Sequence, residues 1–234
     1  SVSLSGLLLI LLPLFTQSVQ GETVDLKTLA KIIQFFEQNY KRVDRDGHAR
    51  QYATAINVLK KQCQVGFSPS QNNFLTKEIA GNVKNAIADE KNALYQGTQL
   101  IAAGTRNMNK YNMHSESLLL NPADKSPMTN LLNKKKDDSC TVFYTFDSPC
   151  SNTCLNEKSD HNIIKALDNW KKHSGIKAFV FKNFWKFDKK DDLKKKFKEI
   201  VARVPLYRCV SENVCHDCKG EGNTPIDEHC LPLE

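Results

Sequence analysis

The chain of 234 residues has no charged side chain before Glu22, no Asn-x-Ser/Thr sequon at any position, and no later apolar run long enough to span a membrane. The first absence leaves Leu7-Leu8-Leu9-Ile10-Leu11-Leu12, continued by Leu14 and Phe15, as an unbroken apolar stretch. A core helix would interleave polar positions, and a bilayer-spanning helix would need to be longer, so the stretch reads as the apolar region of a secretory leader. Val19-Gln20-Gly21 ahead of Glu22 is an acceptable cleavage site, with Gln17-Ser18 as a competitor, and residues 1–21 are expected to be a signal peptide. The basic segment that ordinarily precedes such a stretch is missing too, which points to a few residues lost upstream. Without a later apolar run no membrane anchor is expected, and the exported chain should be soluble and extracellular. Without a sequon, N-glycosylation is not expected.

What remains is unevenly charged. Residues 209–234 set Glu212, Asp217, Glu221, Asp227, Glu228 and Glu234 against Lys219 alone, a net −5; with the whole chain at +7, the body over 22–208 carries +12. A basic body favours an anionic partner, whether nucleic acid, glycan or phospholipid surface. The organisation expected is therefore a leader over 1–21, a main domain over 22–208 and an acidic, cysteine-rich extension over 209–234.

Eight cysteines stand at 63, 140, 150, 154, 209, 215, 218 and 230. With Cys150 and Cys154 set aside for reasons given below, six remain, and in an exported chain six cysteines read as up to three disulfides with their pairing open. The rival is a closed structural zinc built from Cys209, Cys215, His216, Cys218, His229 and Cys230. Disulfides are preferred because the oxidising compartment acts on unprotected thiols. A redox-active Cys215-x-x-Cys218 is disfavoured, since no helix opens there after a strand.

Hydrophobic spacing supplies the elements. Val24, Leu26, Leu29, Ile32, Ile33, Phe36 and Tyr40 form one face of a helix over 24–40. A strand is predicted over 53–59, a strand pair turning at Gly97 over 92–103, and a polar loop over 107–113 leading to a short helix that begins at His114 and ends before Pro122. Residues 122–138 read as an exposed connector. Cys140 to Phe146 is a β-branched and aromatic strand cut off by Asp147-Ser148-Pro149. A helix over 159–173 ended by Gly175, a strand over 176–181, a lysine-faced helix around Leu193 to Val204, and a last strand over 206–210 complete an α/β alternation, which implies parallel pairing.

Two segments carry chemistry. His114-Ser115-Glu116 and Pro149-Cys150-Ser151-Asn152-Thr153-Cys154 supply one imidazole, two thiolates and a carboxylate to spare. A catalytic zinc takes three protein ligands and keeps its fourth position for water. His114, Cys150 and Cys154 fit as ligands, with Glu116 as the general acid and base. The order matches the H-x-E … P-C-x-x-C signature of zinc-dependent nucleobase deaminases, with one extra residue between the cysteines. The cysteines are expected at the start of a helix, where first-turn amides would stabilise their thiolates. On an ideal helix Glu116 lies about 200° around from His114, so both border one pocket only if His114 sits at the first turn. His48, His161 and His173 lack ligand spacing to one another and receive no role.

These residues also resemble a known family. Thr145-Phe146-Asp147-Ser148-Pro149-Cys150 is similar to the S-W-S-P-C passage of AID/APOBEC polynucleotide cytidine deaminases, with Ser148-Pro149-Cys150 retained and the tryptophan position altered. Val180 to Phe187 resembles the aromatic loop that in the family helps contact the nucleotide before the target base. With the leader and the cysteine-rich tail, the nearest group is the fish secreted novel AID/APOBEC-like deaminases. The resemblance implies a cytidine deaminase-like three-layer αβα sandwich around a central five-stranded mixed sheet. It implies Zn2+ on His114, Cys150 and Cys154, and Glu116 as proton shuttle. It places the backbone around Ser115 and Ser148 against a pyrimidine ring, Asn112 or Asn107 on the sugar, and Phe184 and Trp185 on neighbouring bases.

The function expected is a secreted zinc hydrolase of the C–N bond of a cyclic amidine, deaminating cytosine in single-stranded DNA or RNA or in free (deoxy)cytidine, in host defence by family analogy. The alternative is a non-catalytic secreted polyanion-binding protein on the same scaffold. Phe184, Trp185 and Phe187, interleaved with Lys182 and Lys186, suit base stacking beside phosphates, although core packing would explain two of the aromatics equally well. The lysines over 189–198 are explained by the polar face of their helix alone.

Overall fold

The computed structural model describes residues 22–233; the expected signal peptide over 1–21 lies outside them. In chain order the helices are α1 Leu26–Tyr40, α2 Ala80–Ala88, α3 Ser115–Leu120, α4 Pro127–Lys134, α5 Ile164–Lys172 and α6 Lys190–Val201. The strands are β1 Ala53–Leu59, β2 Leu94–Gln96, β3 Leu100–Ala103, β4 Arg106–Asn107, β5 Asn112–Met113, β6 Ser139–Asp147, β7 Ile176–Asn183, β8 Leu206–Ser211 and β9 Val214–Asp217.

One sheet organises the molecule, in the order β2-β3-β1-β6-β7-β8-β9. β6, β7 and β8 are parallel neighbours, and every other pairing is antiparallel. The parallel steps are those where α5 and α6 cross over, as the β-α-β-α-β alternation predicts. Side chains alternate across β6. Val142 and Tyr144 join Ile56, Val180, Leu29, Ile33, Phe36, Val83 and Ile87 in one core, under α1 and α2. Phe143 joins Phe179, Phe181, Leu119, Leu131, Leu167, Trp170 and Phe197 in the other, under α3 to α6. This is the three-layer αβα sandwich. The five expected strands are present as β3, β1, β6, β7 and β8, and β2 and β9 extend the mixed sheet at its edges to seven.

Local chemistry sets several boundaries. Asp25 caps α1 by accepting from the Thr28 amide at 2.8 Å. Gly175, at φ +93°, follows α5 where a Cβ would meet the Ser139 carbonyl at 2.3 Å, so the turn back into β7 requires glycine. Glu37 of α1 accepts from the hydroxyls of Tyr52 and Tyr144, each at 2.7 Å, and pairs with Lys182 at 2.6 Å, tying α1 to the sheet.

Three local expectations are corrected. Residues 122–138 are not a plain connector: Ser126 accepts from the Thr129 amide at 3.0 Å, Pro127 opens α4, and Met128, Leu131 and Leu132 are buried. The side-chain amide of Asn57 on β1 donates to the carbonyls of Leu131 and Lys135 at the end of that helix. A second unpredicted helix, α2, buries Val83 and Ile87, with Ala80 packed against the same core. The third correction concerns Cys150 to Cys154, which follow β6 in turns rather than at the start of a helix.

All six remaining cysteines are paired, as Cys63–Cys140, Cys209–Cys215 and Cys218–Cys230, so disulfides and not a second metal account for the tail. Cys209 and Cys215 face each other in the β8–β9 register, which shifts between Cys209 and Ser211. Among the described residues no helix is long and apolar enough to cross a membrane.

Candidate active site

The site lies where β6 ends, on the face covered by α3. His114 is the residue that caps α3, extended at φ −70° and ψ 148°, with its carbonyl accepting from the Leu118 amide at 3.1 Å. This position just outside the first turn frees the imidazole from the helical arrangement that would set it opposite Glu116. The polar residues ahead form the small β4–β5 hairpin, and there Asn107 and Asn112 face each other in register. Asn107 Oδ1 is occupied by the Asn109 amide at 2.8 Å.

Cys150 is brought in by the Pro149 turn at the end of β6, and Cys154 by the turns that follow. The Leu155 amide donates to the Cys150 carbonyl at 3.0 Å and the Ile163 amide to the Cys154 carbonyl at 2.9 Å. His114 Nδ1 stands 3.6 Å from Cys150 Sγ and 3.4 Å from Cys154 Sγ. A tetrahedral zinc, with Zn–S of about 2.3 Å and Zn–N of about 2.05 Å, sets N···S edges of about 3.5 Å. The donor triangle therefore fits zinc through Nδ1. No helix dipole supports the thiols, but the Cys154 amide donates to Cys150 Sγ at 3.4 Å.

The titration of the thiols fits a cation. The Cys154 side chain, together with His114, pulls Cys150 down to about 3, whereas the bond to Cys150 and burial hold Cys154 well above the usual thiol range. The pair gives up one proton readily and the second only against a positive charge. Cys150 raises His114 from its ordinary value, against the effect of burial.

Glu116 is 1% exposed and is not part of the donor triangle. Its Oε1 accepts from Gln51 Nε2 at 3.0 Å and Thr145 Oγ1 at 2.9 Å, and its Oε2 from Ser115 Oγ at 3.1 Å. Burial raises its pKa above the usual carboxylate value. Gln51 lies in the loop before β1 and belongs to no motif, so nothing in the sequence pointed to it.

The other expected contacts separate into groups. Ser148 is buried; its amide donates to the Asn183 carbonyl at 2.8 Å and its hydroxyl accepts from the Trp185 amide at 2.9 Å. Trp185 sets its ring 6.2 Å from that of His114, with Phe187 edge-on to it at 5.5 Å and 67% exposed. Phe184 instead packs on Phe181, with the Arg208 guanidinium over its ring at 4.1 Å. Exposed Tyr111 lies against His161 at 5.3 Å. A second group of possible ligand atoms, Asp44, Asp46 and His48, belongs to a turn in which Asp44 pairs with Arg50.

Asp188 ties the aromatic loop to the cysteine turn, accepting from the Ser151 amide at 3.1 Å and hydroxyl at 2.6 Å. Replacing it by alanine should loosen Cys150 and lower zinc affinity about tenfold, the low end for outer partners of a metal site. Competition with a chromophoric chelator measures this, and unchanged affinity would remove Asp188 from the metal's support.

The family model described as Secreted Novel AID/APOBEC-like Deaminase 1 matches residues 26–233. No curated protein and no solved structure matches the chain.

Proposed function

The chain belongs to the family described as Secreted Novel AID/APOBEC-like Deaminase 1, and on that basis we propose that it is a secreted, zinc-dependent hydrolytic deaminase of cytosine, in single-stranded DNA or RNA or in free cytidine and deoxycytidine. The observation that carries this reading is the pairing of a three-donor triangle with a buried carboxylate that is not one of the donors. A purely structural metal would be closed by four protein ligands and would gain nothing from burying Glu116 beside it.

His114, Cys150 and Cys154 would hold the ion, whose Lewis acidity brings a water proton within reach of neutral pH. Glu116 would carry one water proton to the ring nitrogen and the other to the amine, so that the C4–N bond breaks, ammonia leaves and the water oxygen remains as the C4 carbonyl. Its burial raises its affinity for the proton in transit. The carbonyl of Ser148 and the backbone at Ser115 are suited to the pyrimidine edge. Asn112 is the better sugar contact of the two asparagines, because the turn already occupies the Asn107 oxygen.

Trp185 beside the His114 ring and exposed Phe187 against it offer aromatic faces on which flanking bases could stack, beside Lys186 and in a body of net positive charge. Three disulfides fit an extracellular setting. The test is mass-spectrometric deamination of cytidine, deoxycytidine, single-stranded DNA and single-stranded RNA by zinc-loaded and chelator-stripped protein. The expected result is product on at least one substrate, lost on stripping and restored by zinc. No product on any of the four would leave a polyanion-binding protein on a deaminase scaffold.

A further inference from the structure

We infer that Gln51 is the positioning residue that aims Glu116, an inference that rests on the deaminase reading above. The side-chain amide of Gln51 stands at the centre of the polar network around the buried carboxylate. Its Nε2 lies 3.0 Å from Glu116 Oε1, 2.8 Å from Thr145 Oγ1 and 3.1 Å from Ser115 Oγ, and its Oε1 accepts from the Asp147 amide at 2.8 Å. That last contact fixes the orientation. A backbone N–H can only donate, so the amide oxygen must face Asp147 and the NH2 must face Glu116.

Three properties suit this group to the task. It contacts Glu116 and also both hydroxyls that donate to it, so one side chain sets the whole arrangement. An ionised carboxylate offers about four acceptor sites. Gln51, Thr145 and Ser115 occupy three of them, so the carboxylate is held in one orientation by donors on three segments of the chain. A carboxamide also neither gains nor loses a proton near neutral pH, so it directs Glu116 without exchanging protons with it, as a histidine or lysine there would.

Gln51 is itself held firmly. Its carbonyl accepts from Arg42 Nη1 at 3.3 Å, and the same nitrogen donates to the Thr105 hydroxyl at 3.0 Å. On the other side the Tyr52 carbonyl accepts from the Phe146 amide at 3.0 Å. Gln51 therefore joins the end of β6 to the start of α3, the two segments that carry the thiols and the imidazole. A misplacement of about 1 Å at a reacting group can cost about 10²-fold in rate.

The experiment compares Gln51→Met, which keeps length and removes every hydrogen bond, with Gln51→Glu, which still accepts from the Asp147 amide but has no proton to give Glu116. Steady-state kinetics are run on whichever substrate the parent turns over, with zinc content and thermal melting measured alongside. Both variants should retain one zinc per chain and lose about 10²-fold in kcat, with KM within about threefold, because aim matters only in the transition state. Gln51→Glu gives the result if Gln51→Met does not fold. A folded, zinc-loaded variant with parental kcat overturns the inference, as does a loss confined to KM, which would make Gln51 a substrate contact. A parent protein inactive on every substrate overturns the deaminase reading itself, and the inference with it.

Discussion

Replacing Glu116 by glutamine should leave the protein folded and zinc-loaded while lowering its deamination rate by about 10²–10⁴-fold, the range for loss of a general acid–base. Glutamine keeps the shape of the side chain. Its oxygen can still accept from Gln51 and Thr145, and its NH2 can donate to the Ser115 hydroxyl once that rotor turns. It cannot carry a proton. Burial already disfavours the charge on Glu116, so a neutral group there should melt no lower than the parent at neutral pH. Alanine would be a blunter change, since it orphans up to three buried donors at about 1–3 kcal/mol each. Kinetics, zinc content and melting temperature measured together separate the possibilities. Loss of zinc from Glu116→Gln would make the residue a ligand, and equal turnover by parent and variant would remove it from the chemistry.

The site was more legible than the scaffold around it because few residue types can perform its chemistry. Catalytic zinc is held by imidazole, thiolate or carboxylate donors, so His114, Cys150 and Cys154, with Glu116 to spare, stood out by residue type and order, and the structure brings the three donors within 4.8 Å of one another. Strong periodicity likewise gave α1, α5, α6, β6 and β7. The remainder depended on tertiary context. α2 buries only Val83 and Ile87 and has no side-chain cap, so its signal is weak. α4 was masked by its trailing lysines, although Ser126 followed by Pro127 is a start signal. The cysteine turn replaces a helix because Cys150 and Cys154 are anchored separately, one by Asp188 through Ser151 and the other by the entry to α5. β9 exists where Cys215 is bound across to Cys209. Gln51 was invisible because its role comes from four partners that lie 64 to 96 residues from it in sequence.

The largest stability loss from any disulfide should follow removal of Cys63–Cys140. The bridge joins the short 3-10 turn after β1 to the first residues of β6, and its separation of 77 residues is by far the longest of the three. In the chain-entropy account the effect lies in the unfolded state, where closing a loop of that length contributes about 4.5 kcal/mol, against about 2.3 and 2.9 kcal/mol for the tail bridges spanning 6 and 12 residues. In the folded state β1 and β6 already hold the same ends together through seven aligned pairs, so the native contacts should survive the loss of the bond. Against a typical total stability of about 5–15 kcal/mol, the change is severe. Cys63→Ala with Cys140→Ala should lower the melting temperature by roughly 10 °C, and Cys209→Ala with Cys215→Ala by about half as much. Differential scanning calorimetry reads both, and a larger drop for the tail pair would contradict the loop-entropy argument. Both cysteines of a pair must be replaced together. A lone thiol at 63 or 140 is a nucleophile toward the two remaining disulfides, and exchange with them during unfolding would confound the comparison.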